Sequence, residues 1–434
     1  MTSAVYPSGR TITNAYDTAG RLTSVNGQKT GESNKTYASS IGYAPQGAVS
    51  SMTLGNNLID QTAFNNRLQP TQIKLGTTSS PSSVLQLDYT YRNSNPNVHD
   101  NNGNVLTQTI TIGSTVMSQS YAYDALNRLQ TATESGAWTQ TFDCDRYGNQ
   151  AVRVGSYIPT PALTPQSLSA FDAATNRIKP SVMSGFGYDN SGNVTSDPDA
   201  SVIGYDAENH QTSYGASTYS YDGDGRRVKK QVGSTTTICV YNVAGQLIAE
   251  YDNSTSPPPG GGTSYLISDH LGSTRAVIKA DGTVARHDYL PFGEEIPSSI
   301  GGRSSVVGYS AADSTRQKFT QKERDSESGL DYFGARYYAS PQGRFTSADP
   351  GLIKLKHLVN PQKWSRYSYT LNNPLRYFDP DGTEELEVII RTFIPAKSVQ
   401  VPATPFRAKG DGRKAGDPVP PGTFRTEIRV TIGN

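Results

Sequence analysis

One phrase recurs along this chain: an aromatic residue, Asp or Asn, two variable residues, Gly or Asn, then Arg or Asn and an aliphatic residue. Clear copies begin at Tyr16, Tyr123, Phe171, Tyr188 and Tyr221, the Phe171 copy being one residue longer. Degraded copies start at Phe64, Tyr205 and Tyr241, and Asn102 to Leu106 is a second half standing alone. Internal repetition of this kind limits a chain to architectures in which each unit pairs with its neighbours. The phrase also has a mechanical reading. An Asp at the first turn position caps backbone amides through its carboxylate. A Gly or Asn three residues later accepts the positive φ of a type I turn with a G1 bulge. Each copy therefore predicts a tight hairpin, its aromatic residue ending one strand and its aliphatic residue starting the next.

Counting from Phe171, the starts at Tyr188, Tyr205, Tyr221 and Tyr241 follow at 17, 17, 16 and 20 residues. That spacing holds two short strands with their turns. A lone hairpin is marginal, so the copies must pair edge to edge. The fold class expected is all-β, a long antiparallel β-hairpin strip forming one continuous wall that its own twist makes curl. Composition agrees. Tyr is the unusual count, 26 against 12 Phe and 2 Trp, and a flat apolar ring with a wet hydroxyl suits a half-buried strand. The alternative, a generic β-sandwich with Asp-Gly turns, has no reason to repeat one phrase.

Charge is balanced, 39 basic against 38 acidic residues, which gives no global attraction to nucleic acid or an anionic membrane. No run has the ~18 apolar residues that a membrane helix needs, and residues 1–10 carry no Sec-type signal pattern. Cys144 and Cys239 read as two small buried residues, with a disulfide as the alternative. The five histidines show no metal-ligand spacing, so neither cofactor nor metal is expected. His270 and His287 are read as packing or turn-bonding residues.

The repeated phrases resemble the YD repeats of the Rhs family across roughly residues 1–252, with a Pro/Gly-rich loop at 253–263. From Tyr265 the resemblance becomes specific. Tyr265-Leu-Ile-Ser-Asp-His-Leu-Gly-Ser-Thr-Arg275, Arg286 to Glu294, Phe319 to Asp325, Gly329 to Tyr338, Pro341 to Phe345 and Tyr367 to Leu375 follow one another in the order of an Rhs-repeat-associated core, here residues 264–382. The resemblance implies a shell-like strip, incomplete at this length, with a core or plug region.

It also implies chemistry. In that family a pair of Asp-Pro-x-Gly motifs is associated with cleavage of the backbone after the second. Carried over, the catalytic candidates are Asp349 and Asp379, and the cleavage site is Gly382–Thr383. Two carboxylates held close cannot both ionise, so one serves as acid and the other as base. The implied activity is at most a single-turnover aspartic-type autoproteolysis. This chain departs from the pattern in three ways: Asp349 is followed by Pro350-Gly351 without the intervening residue, the stretch between the aspartates is long and basic, and Thr383 stands where self-cutting members have Leu. Asp-Pro pairs are also turn-forming devices, and Asp381 reads as a turn residue. Both readings stand on the sequence.

Residues 383–434 change composition and correspond to the variable effector position of the family; no catalytic set is visible there. The function implied is the encapsulating part of a secreted or surface polymorphic toxin, exported by a non-Sec route. Its partners would be its own C-terminal tail, an immunity protein and a secretion machinery. The alternative is a non-catalytic surface adhesion protein whose aromatic repeats bind carbohydrate.

Overall fold

In a computed structural model of the chain, the described residues are 2–92, 101–243, 245–253, 262–351, 360–383, 386–387 and 430–432. The Pro/Gly loop lies almost wholly outside them, as do most of the tail and residues 354–359 of the basic stretch Lys354 to Lys363.

The repeats fold as hairpins. Among the described residues, strands from Ser3–Val5 to Gln150–Val152 pair in strict sequence order as a 13-stranded antiparallel sheet. A second, six-stranded meander runs from Ile203–Tyr205 to Leu247–Asp252. The turn chemistry is visible atom by atom. Asp17 Oδ1 accepts the amides of Ala19 and Arg21, both at 2.9 Å, and its Oδ2 takes Arg21 Nε at 2.8 Å. Asp124 does the same with Leu126 and Arg128. The next position takes positive φ, +76° at Gly20 and +62° at Asn127. Register shifts at the aromatic residue, as between Ala15 and Tyr16 or Ala122 and Tyr123, are the expected bulges.

The recurring tyrosine also joins one repeat to the previous one. Tyr43 donates its hydroxyl to the carbonyl of Leu22, Tyr91 to Pro70, Tyr123 to Val105, Tyr221 to Gln211 and Tyr241 to Arg227. The acceptors are the residues that close the preceding phrase or its variant. A ring that packs in the strip thus ends in a hydroxyl that fixes the neighbouring turn.

The expected single wall is interrupted. Between Val152 and Ile203 the ladder gives way to turns, a short 3-10 helix and one two-stranded pair, Gly187–Tyr188 with Val194–Ser196. Pro159, Pro161, Pro165 and Pro180 lie in this segment, and proline cannot donate to a ladder. The Phe171 copy keeps its longer turn but closes on a single bridge to Ile178.

Strip and core share their interior. One hydrophobic cluster contains Ile73, Leu87, Ile110 and Leu129 of the long sheet together with Ile267, Phe319, Tyr338, Phe345 and Tyr369 of the following region. A second contains Ile178, Tyr214 and Tyr219 with Leu330 and Tyr337. Buried ion pairs cross the same boundary: Arg303 with Glu134, and Arg227 and Lys230 with Asp325. Two tail segments also pair here, Leu386–Glu387 with Tyr377–Phe378 and Val430–Ile432 with Thr263–Ser268.

Candidate active site

The sequence names Asp349 and Asp379; the fold brings both to one guanidinium. Arg336 Nη2 lies 3.5 Å from Asp379 Oδ2 and 4.0 Å from Asp349 Oδ2. Arg336 leads into the strand Tyr337–Ala339, Asp349 follows the strand Arg344–Phe345, and Asp379 follows Tyr377–Phe378. Sheet pairing between Tyr337–Ala339 and Arg344–Phe345 fixes the first two relative to each other. The guanidinium carbon lies over the ring of Phe345, 3.6 Å from its centroid, a cation–π contact that replaces lost hydration. Its Nη1 donates to the carbonyl of Arg366 at 3.1 Å.

The same arginine reaches the sequence-predicted cleavage site, because Arg336 Nε donates to the carbonyl oxygen of Gly382. Asp379 Oδ1 accepts the amides of Asp381 at 3.2 Å, Gly382 at 2.7 Å and Thr383 at 3.2 Å. The Gly382–Thr383 peptide is therefore gripped on both sides, a cation on its oxygen and carboxylates on its nitrogen. Gly382 sits at φ +86°, and a Cβ there would lie 3.2 Å from both the Arg336 amide and Phe333 Cβ. Only glycine fits that position without strain. Ala335 N donates to the Asp381 carbonyl at 2.9 Å, and Lys322 Nζ to the Pro380 carbonyl.

The two aspartates differ in surroundings. Asp379 is buried, and burial pushes its carboxyl up to about 6 while Arg336 opposes the shift. Asp349 keeps 29% of its side chain in solvent. Its Oδ1 accepts Gly351 N at 2.6 Å, so the shortened Asp-Pro-Gly motif still closes a turn. Arg366 caps the carbonyls of Asp349 and Gly351. Asp381 bonds Thr383 twice, to its amide at 3.0 Å and to its hydroxyl at 2.6 Å.

Arg336 and Lys322 were not singled out by sequence. The only signal was an arginine within Gly334-Ala335-Arg336-Tyr337-Tyr338, an otherwise uncharged run. His270 packs on Tyr89 and faces the Leu375 carbonyl, while His287 sits between Glu295 and Asp313; neither is near the aspartates' shared arginine by any of these contacts. Cys144 and Cys239 are not disulfide-bonded, and burial pushes both thiols up to about 12. Among the described residues no group of His, Cys, Asp and Glu could hold a metal ion, and no helix is long and apolar enough to cross a membrane.

No protein-family model matches the chain. Among curated proteins it is 26% identical over 295 residues to the tRNA3(Ser)-specific nuclease WapA of Bacillus spizizenii, covering 60% of this chain and 12% of that protein. It is 42% identical over 71 residues to toxin subunit YenC2 of Yersinia entomophaga, covering 16% of this chain and 6% of that one. Among solved structures it superposes on the TcdB2-TccC3-Cdc42 crystal structure with a TM-score of 0.66 at 19% identity, over 88% of this chain and 21% of that one. The chain thus spans a small part of each protein it resembles.

Proposed function

From its likeness in fold to the TcdB2-TccC3 structure and in sequence to toxin proteins, and from its resemblance to Rhs/YD-repeat proteins, we propose that the chain is the encapsulating part of a secreted polymorphic toxin that cuts its own backbone between Gly382 and Thr383. The observation that carries the cleavage reading is that one buried arginine touches both aspartates and the carbonyl of the bond to be cut.

The residues divide the work by environment. Asp379, with its carboxyl held up near 6 and its Oδ1 accepting the Thr383 N–H at 3.2 Å, lies against the leaving amine and serves as its acid through a proton carried on Oδ2. Asp349, the more exposed carboxylate, is the one bulk water reaches and serves as the base. Arg336 stabilises charge developing on the Gly382 oxygen. A site of this kind needs to work once, since its substrate is tethered. The turn-forming role of Asp379 remains in this scheme: the capped turn is what presents the bond.

In this reading the strip and core enclose the tail, which the cut frees from its covalent link. Export by a non-Sec route, an immunity partner for the tail and association with other toxin components belong to the same proposal; the toxin-subunit relative supports the last. Intact-mass measurement of freshly folded full-length protein tests it. A fragment starting at Thr383 is expected from the wild type, and an uncut chain from Asp349→Asn and Asp379→Asn. A wild type that stays whole and binds glycans would favour the adhesion alternative instead.

A further inference from the structure

On the reading that the backbone opens between Gly382 and Thr383, three contacts converge on that bond in a way a simple turn does not require. Thr383 Oγ1 donates to Asp381 Oδ1 at 2.6 Å, within the short range of a charge-assisted O–H···O⁻ bond. The carbonyl oxygen of Gly382 accepts from Arg336 Nε, whose side chain is 4% exposed. The acyl residue is glycine, held at φ +86°, so no side chain hinders approach to its carbonyl carbon. An Asp-x-Thr turn alone accounts for the two bonds to Asp381. It does not account for a buried guanidinium on the carbonyl directly before the hydroxyl.

A hydroxyl on the residue after a carbonyl can close a five-membered ring onto it. Doing so takes a base on the hydroxyl, a cation on the oxygen and room at the carbon. We infer that Thr383 is the nucleophile of the cut, acting by an N-to-O acyl shift with Asp381 as its base. Asp381 takes the Oγ1 proton as Oγ1 bonds to the Gly382 carbonyl carbon. The negative charge on the carbonyl oxygen is met by Arg336. The C–N bond then breaks with its electrons going to nitrogen, which takes the proton that Asp379 carries on Oδ2; the Oδ1 of the same carboxyl already holds the Thr383 N–H at 3.2 Å. The product is an ester between Gly382 and the Thr383 side chain with a free α-amine. Water, activated by a carboxylate, hydrolyses the ester, leaving a Gly382 carboxylate and restoring the threonine hydroxyl. The departure of this chain from its family at Thr383 then supplies a nucleophile that a leucine cannot.

The test uses the full chain and four forms of it: wild type, Thr383→Ser, Thr383→Val and Thr383→Leu. Each is followed by intact mass after folding, with and without hydroxylamine, and each is checked by thermal melting. Thr383→Ser should cut within about tenfold of wild type, while Thr383→Val, close to isosteric, should slow by about 100-fold or more. Hydroxylamine should accelerate the wild type and leave a hydroxamate on Gly382, identified by the mass of the large fragment. A folded Thr383→Val or Thr383→Leu that cuts at the wild-type rate, still dependent on Asp349 and Asp379, overturns this inference and leaves the aspartate reading standing. A wild type that never cuts overturns both.

Discussion

Tyr221 donates its hydroxyl to the carbonyl of Gln211 at 2.6 Å, joining one turn of the strip to the turn before it. Tyr241 to Arg227 and Tyr123 to Val105 repeat the relationship. Removing only the hydroxyl keeps the packed ring and strands the carbonyl. Tyr221→Phe and Tyr123→Phe should each cost about 1–2 kcal/mol, the range for orphaning a buried acceptor. Denaturant unfolding monitored by circular dichroism measures this. Phe64 occupies the same slot without a hydroxyl, so Phe64→Leu should lose packing but no such bond.

The turn carboxylates can be tested apart from the tyrosines. Asp124 accepts Leu126 N at 2.9 Å, Arg128 N at 3.0 Å and Arg128 Nε at 2.6 Å. Asp124→Ala loses all three and should destabilise by about 1–2 kcal/mol. Asp124→Asn retains an oxygen for the two amides, so it should cost less than half as much. Equal losses for the two variants, in the same unfolding measurement, would show that the ion pair and not the amide capping holds the turn.

Burial makes Asp379 a sensor of its own protonation. Its carboxyl is raised from 3.8 to about 6, so the folded chain holds this proton more tightly than the unfolded chain. Ionising it therefore costs stability. The penalty is absent below pH ~4, grows as pH rises towards 6 and is complete above. The shift corresponds to a ceiling of about 3 kcal/mol. Asp379→Asn does not titrate, so wild-type stability measured against that variant should fall between pH 4 and pH 7. Self-cutting, where Asp379 must supply a proton, should slow as pH rises past 6; a rate that climbs through that interval would contradict the acid role.

The strip was legible in sequence because its turns are written locally. An Asp that caps the next amides and a Gly or Asn at positive φ are decided within five residues, as at Asp17–Arg21. The same device is harder to read where one end of the phrase is replaced. Tyr43–Ala48 has Ala44 for the Asp, Cys144–Asn149 has Cys for the aromatic, and Ser268–Ser273 opens with Ser, yet Gly47, Gly148 and Gly272 all take positive φ. Leu68 takes φ +64° where a Gly or Asn is easier, a choice no propensity anticipates. The break after Val152 is a competition between ladder and proline that spacing does not reveal. The two aspartates were legible from motifs, but Arg336 was not. Its meaning lies in three contacts from separate parts of the core, and the uncharged run around it, Gly334 to Tyr338, hints at burial without saying what the guanidinium meets.

That arginine gives a prediction independent of which atom attacks. Arg336 separates the carboxylates of Asp349 and Asp379 and holds the Gly382 oxygen. Arg336→Gln removes the charge while keeping a donor. Loss of a single oxyanion donor typically costs 10²–10³ in rate, so the Thr383-terminal fragment should appear about 100-fold more slowly or not at all. Arg336→Lys keeps the charge but not the fork, and should recover only part of the rate.

The last prediction concerns how the strip is held to the core. Arg227, in the strand Arg227–Val232, is fully buried and bonds Asp325 through both terminal nitrogens and Glu323 through one. Lys230 from the same strand bonds both acids, at 3.0 and 2.8 Å. The rings of Tyr219, Tyr332 and Tyr337 surround the guanidinium. Such a network is no guarantee of net stability, because desolvation opposes the attraction. Its asymmetry is firmer: taking away one partner leaves a charge buried without compensation. Arg227→Met should therefore cost about 3–5 kcal/mol, and Asp325→Leu a similar amount. The double variant should recover much of the loss, since the two unmatched groups vanish together. Unfolding of the single and double variants closes the cycle, and additive losses would mean that packing of the Arg227 side chain, not its charge, joins the six-stranded meander to the core.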